Sequence, residues 1–119
     1  VGDCAVVGMK AVVMNAAVIG RGSVVAAGSV IRAGTIVPPY SLAAGNPAVI
    51  KEHYYPDLVT PLESALIYFR LSRLYRAGTV IEPHQSALIV QNSRLQAALL
   101  DEKLASGADV LEALASLPA

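Results

Sequence analysis

Residues 1–48 divide in sixes from Val1 as VGDCAV, VGMKAV, VMNAAV, IGRGSV, VAAGSV, IRAGTI, VPPYSL and AAGNPA. The first position of successive hexads holds Val1, Val7, Val13, Ile19, Val25, Ile31 and Val37 without a break. The fifth holds Ala5, Ala11, Ala17, Ser23, Ser29, Thr35 and Ser41, all small. An amphipathic helix repeats near 3.6 residues and a simple strand near 2, so a strict six is neither. It is the period of a triangular solenoid, in which each hexad makes one short strand and one corner. The large aliphatic fills the interior, and the small fifth residue lets the chain turn inward. Val7, Val13, Ile19, Val25 and Ile31 are therefore expected to point in, and Lys10, Arg21 and Arg32 to point out. Gly2, Gly8, Gly20, Gly22, Gly28 and Gly34 fall at the second or fourth position, where the corners are expected to need dihedrals that side chains disfavour.

Three faces of six residues give about 18 residues per coil, so fewer than three coils are visible. So short a stack has few inter-coil neighbours, and its first coil presents unpaired strand edges. The register leads us to expect further coils upstream of Val1 in the natural protein.

Working outward, the repeat decays over residues 43–48, and Pro38-Pro39 and Asn46-Pro47 mark a turn-rich exit. Residues 51–60 read as a linker carrying His53, Tyr54, Tyr55 and Pro56. Thr60 is expected to cap a first helix, with Pro61 at its first position and Glu63 closing a capping box. That helix should run to about Arg76 and stop at Gly78. It carries one stripe of Leu62, Ala65, Leu66 and Phe69 and another of Ile67, Leu71 and Leu74. A helix apolar on two sides is usually buried on two sides, so we expect it to lie along the solenoid and against a neighbouring subunit. A second helix is expected from about Pro83 to Ala105, with Leu88, Leu95 and Leu99 on one face and Gly107 as its stop. A third, short helix follows Asp109, with a capping box to Glu112 and Val110, Leu111, Leu114 and Leu117 as its apolar set. The chain thus reads as mainly β: a hexapeptide-repeat parallel β-helix over 1–50, a linker over 51–60 and a helical extension over 61–119.

Composition narrows the function classes. Hydrophobic residues make up 55% of the 119 and charged residues 15%, which suits a chain that hides surface against partners. Nine basic side chains balance nine acidic ones, so there is no electrostatic footprint for nucleic acid or an anionic membrane. Gly, Asn, Arg or Pro interrupts every valine-rich run before transmembrane length. The single Cys4 excludes an intrachain disulfide and reads as a free thiol on an outer corner.

The segment Gly8-Met9, the run Ala11-Val12-Val13-Met14, and the closing Pro38-Pro39 followed by Gly45-Asn46-Pro47-Ala48 resemble the last coils of γ-class carbonic anhydrase-like proteins. The bacterial branch assigned to phenylacetate degradation belongs to this group. The resemblance covers residues 1–52. It implies a left-handed β-helix, an exception to the usual crossover hand, assembled as a homotrimer with a C-terminal helix packed along the prism. It also implies a zinc cofactor held by three histidines between two subunits, whose bound water attacks carbon dioxide. None of the histidines of that set falls within this sequence; they would lie upstream of Val1. By resemblance Met9 would line the apolar part of the active-site pocket, and Tyr68 is a weak candidate for the same groove. No catalytic or metal-ligating residue is assigned within the chain. His53 and His84 lack a third ligand at metal spacing, and Ser23, Ser29 and Ser41 sit at the inward-turning position without a base beside them.

Three functions follow as expectations. The first is the C-terminal part of a γ-carbonic anhydrase-like zinc enzyme (a lyase) acting on a small-molecule substrate. The second is a non-catalytic trimeric scaffold whose C-terminal helices bind a protein partner. The third is a hexapeptide acyltransferase using acyl-CoA. A cytoplasmic location is expected, or an organelle matrix if an upstream segment acts as a transit peptide.

Overall fold

The computed structural model describes residues 1–117, apart from the side chain of Val110. The chain divides into two compact units, Val1–Pro61 and Leu62–Ala119. The first unit is built from six two-residue strands, β1 (Val6–Val7), β2 (Val12–Val13), β3 (Val18–Ile19), β4 (Val24–Val25), β5 (Val30–Ile31) and β6 (Ile36–Val37). Two longer strands follow, β7 (Leu42–Gly45) and β8 (Ala48–Lys51). β1, β4 and β7 stack in parallel on one face, β2 and β5 on the second, β3 and β6 on the third. Val6 pairs with Val24 and Val24 with Leu42, a step of 18 residues that fixes one coil as three hexads. The architecture is the parallel β-helix that the six-residue period predicts.

Backbone hydrogen bonds run from coil to coil at corners as well as strands. The Val6 N–H donates to the Ser23 carbonyl at 2.9 Å, the Gly28 N–H to Met9 at 2.8 Å and the Tyr40 N–H to Arg21 at 2.9 Å. Ile19, Val25, Ile31, Val37 and Ala43 form the buried interior, with Ala5, Ala11 and Ala17 packed against it. Val7 and Val13 stand in the same columns, in register with Val25 and Ile31. They remain 41% and 36% exposed, because β1 and β2 belong to the first coil, whose far side is not covered by another coil. Lys10 and Arg32 are exposed as expected, whereas Arg21 is half-buried.

The corners follow a rule the glycines only partly disclose. The fourth residue of every hexad from the first to the seventh has positive φ: Cys4 56°, Lys10 59°, Ala16 59°, Gly22 67°, Gly28 72°, Gly34 73° and Tyr40 57°. The coil path imposes the left-handed conformation whichever residue stands there, and glycine adopts it at least cost. The second-position glycines have a different role. A Cβ on Gly20 would lie 2.5 Å from the Pro39 nitrogen, so this glycine is required for close approach of the next coil rather than for its dihedrals. The solenoid ends in an antiparallel hairpin of β7 and β8 through the cis Asn46-Pro47 bond.

The second unit holds helices α1 (Val59–Arg76, which begins in the first unit), α2 (Pro83–Ala105) and α3 (Val110–Ala115). α1 starts before Thr60, because the Asp57 carboxylate accepts the Val59 N–H at 2.9 Å and takes the capping role expected of Thr60. Glu63 pairs with Arg94 of α2 at 3.3 Å instead of closing a capping box. Gly78, at φ 71°, ends the helix. Its N–H bonds to Tyr75 and that of Thr79 to Leu74, both at 3.0 Å, which is the Schellman pattern. α2 begins at Pro83, where the Glu82 N–H donates to the Gln85 side chain at 3.0 Å. Asp109 caps α3 by accepting from the Leu111 and Glu112 N–H groups.

One expectation about faces is corrected, that of Phe69. Leu62 and Leu66 are buried, but Phe69 is 58% exposed with the Arg73 guanidinium over its ring. On α2 the buried residues are Ser93, Ala97 and Leu100, while the face of Leu88, Leu95 and Leu99 is exposed. The reason is α1: Arg70 donates to the Ser93 hydroxyl and to the Gln96 carbonyl oxygen, which turns the small-residue face of α2 inward. Ile67 and Leu71 of the second α1 stripe face Ile89 and Val90 of α2 across a cleft of about 230 Å³.

Candidate functional site

The interior hydroxyls are engaged in structure. The Ser23 hydroxyl donates to the Pro38 carbonyl at 2.6 Å and accepts the Ser41 N–H at 2.9 Å. Ser41 donates to the Pro39 carbonyl at 3.1 Å, and Ser29 accepts the Gly45 N–H at 3.1 Å. Serines at the fifth position thus satisfy backbone groups at the exit of the solenoid. A hydroxyl buried with its proton committed to a carbonyl is no nucleophile. Among the described residues no buried side-chain nitrogen or oxygen lacks a partner.

The chain's residues do not fit a zinc ion. Among the described residues no three His, Cys, Asp or Glu side chains come together. His53, at φ 50°, and His84 are exposed and belong to different units.

What the first unit does present is a polar corner and an apolar outer surface. Asp3 and Arg21, one coil apart, pair at 3.6 Å. Arg21 is held above its ordinary pKa first by a hydrogen bond with Tyr40 and further by the charges of Cys4 and Asp3, against a partial burial that opposes them. The Tyr55 N–H donates to the Tyr40 carbonyl at 2.9 Å, so the linker closes over this corner. Burial, aided by neighbouring Tyr54, raises the Tyr55 phenol above its usual value. Sequence reading missed this cluster, although the 18-residue spacing of Asp3 to Arg21 and of Cys4 to Gly22 to Tyr40 carries the signal.

The apolar surface consists of the sixth residues of the hexads and two methionines. Val12 on the second face and Val18 and Ile36 on the third are 51%, 52% and 68% exposed. Met14 lies on the corner between those faces and Met9 on the preceding corner, both exposed. The first face differs, since Val6, Val24 and Leu42 are half-buried. Met9 is therefore accessible, as a pocket-lining residue must be, and so is Tyr68 on α1. They belong to different units. No helix among the described residues is long and apolar enough to cross a membrane.

No protein-family model matches the chain, and none of the curated proteins matches it. Solved structures do. A hexapeptide transferase family protein from Anaplasma phagocytophilum is 40% identical over 62% of this chain and 45% of its own, with a TM-score of 0.56. A putative acetyltransferase from Bacillus cereus is 22% identical over 82% of this chain and 45% of its own, with a TM-score of 0.43. The chain spans less than half the length of either. The six-residue register and the 18-residue coil give the first unit the architecture of a hexapeptide-repeat β-helix, and the chain is similar to the Anaplasma protein.

Proposed function

We propose that the chain is the C-terminal part of a homotrimeric hexapeptide-repeat transferase that moves an acyl group from acyl-CoA to a small acceptor. The similarity to a hexapeptide transferase family protein at 40% identity carries this reading. In such a transfer the thioester C–S bond breaks, a C–O or C–N bond forms, and the acceptor's proton leaves with the coenzyme A thiol. The described residues supply walls rather than chemistry: the serines are committed to the backbone, and the exposed Val12, Val18 and Ile36 form flat faces suited to packing against another copy. The γ-carbonic anhydrase-like reading keeps one specific support, the Gly8-Met9 segment with Met9 on an open corner.

The test is a pair of assays on the purified full-length protein. Release of free coenzyme A thiol from acetyl-CoA, dependent on an added amine or alcohol acceptor, is expected. Absence of that release, with rapid stopped-flow hydration of carbon dioxide, overturns the transferase reading in favour of the lyase. Absence of both activities favours a scaffold.

A further inference from the structure

The exposed leucine face of α2 is patterned for pairing with copies of itself. Leu88, Asn92, Leu95 and Leu99 recur at steps of four, three and four, the a/d spacing of a coiled-coil seam. All four are exposed. The seam lies opposite Ser93, Ala97 and Leu100, which are buried against the rest of the second unit. α2 is therefore an already supported helix that shows a second, unpartnered stripe.

Two features select the occupant. The first is Asn92, the single polar residue in the seam. An amide carries both donor and acceptor, so Asn92 facing Asn92 satisfies both, whereas an apolar partner would leave the amide unpaired at a cost of about 1–3 kcal/mol. The second is the rim. The positions bordering the seam between Gln85 and Leu99 are Ile89 and Gln96, which also meet α1, and the exposed Gln91 and Ala98; none is charged. A seam built for a foreign helix commonly selects it by charged border residues; an uncharged rim neither demands an opposite charge nor repels an identical copy.

We propose that α2 associates in parallel with the α2 helices of other copies of this chain along Leu88, Asn92, Leu95 and Leu99. The inference rests on the homotrimer proposed above. In a cyclic assembly the copies are related by rotation about one axis, so helices lying along that axis run parallel, and Asn92 meets Asn92 in register. Four layers are too few to join copies alone, because stable interfaces bury roughly 1,200–2,000 Å². The seam acts between copies already held together, where the effective concentration of one helix for the next is on the order of millimolar.

The experiment uses the full-length protein with Cys4→Ser, into which Asn92→Cys or Ala87→Cys is introduced. Ala87 is exposed on α2 outside the seam. Mild oxidation is expected to give covalent dimers for Asn92→Cys and to leave Ala87→Cys uncross-linked. Adding Leu95→Glu to Asn92→Cys should abolish the cross-link with helix content unchanged. A protein that sediments as a trimer but does not cross-link at position 92 overturns the seam and leaves the trimer standing. A monomer without the cross-link overturns both. Equal cross-linking at positions 87 and 92 reports random collision and also overturns the seam.

Discussion

Ser23 and Ser41 lie one coil apart in the same column, and the buried hydroxyl of Ser23 accepts the Ser41 backbone N–H at 2.9 Å while donating to the Pro38 carbonyl. This single side chain bridges the Ser41 N–H and the Pro38 carbonyl, a pair whose counterparts at other corners bond directly, as the Ala5 N–H does to the Gly2 carbonyl at 3.3 Å. Ser23→Ala leaves a buried N–H and a buried carbonyl without partners, and should cost about 1–3 kcal/mol. Denaturant unfolding followed by strand circular dichroism measures it. A loss indistinguishable from zero would show that water or a shifted corner replaces the hydroxyl.

The two kinds of corner glycine should separate under substitution. Gly28, at φ 72° with open space around it, should lose about 1–2 kcal/mol as Gly28→Ala, the cost of a left-handed side chain. Gly20→Ala drives a Cβ onto the backbone of Pro38 and Pro39 and should cost more, since neither coil can yield without moving its neighbours. Equal losses would contradict the close-approach role given to Gly20.

On α2 the buried and exposed leucines should behave oppositely. Leu100, at 2% exposure, should cost about 2–5 kcal/mol as Leu100→Ala. Leu95→Ala should change the stability of the helical unit by less than about 0.5 kcal/mol where copies are not paired. Thermal melts at low protein concentration, read at a helical wavelength, distinguish the two.

Alkaline pH should loosen the linker corner. The Tyr55 phenol is raised in the folded state, first by burial and then by Tyr54. A raised acid stays protonated in the fold while the unfolded chain ionises. Its contribution is intact below the ordinary tyrosine value of about 10 and is lost as pH rises through the folded value. The denaturation midpoint of Tyr55→Phe should therefore fall less steeply than that of the parent above pH ~10. Parallel curves for the two proteins would contradict the assignment.

The interior of the solenoid was legible because period six leaves one arrangement for Ile19, Val25, Ile31 and Val37. Helix ends were legible where Gly78 and Gly107 stop them. Thr60 misled because Asp57, three residues earlier, offers a carboxylate that caps better than a hydroxyl at that point. The shared face of Leu88, Leu95 and Leu99 on α2 was legible, but not that the opposite face of Ser93 and Ala97 is the buried one, because small residues there let Arg70 reach across from α1. The corner of Asp3, Arg21 and Tyr40 was hidden because its members are far apart in sequence and meet only through the coil step. Reaction chemistry was not legible, since the interior serines are committed to the backbone and no three ligating side chains come together among the described residues.

The proposed homotrimer requires the exposed Val12, Val18 and Ile36 surface of the first unit to be one side of a subunit interface. Sedimentation equilibrium of the full-length protein at micromolar concentration tests it most directly. A mass equal to that of three chains, reduced toward that of one by Val18→Glu together with Ile36→Glu while strand circular dichroism is retained, is the expected result. A wild-type protein that sediments as a single chain would contradict it.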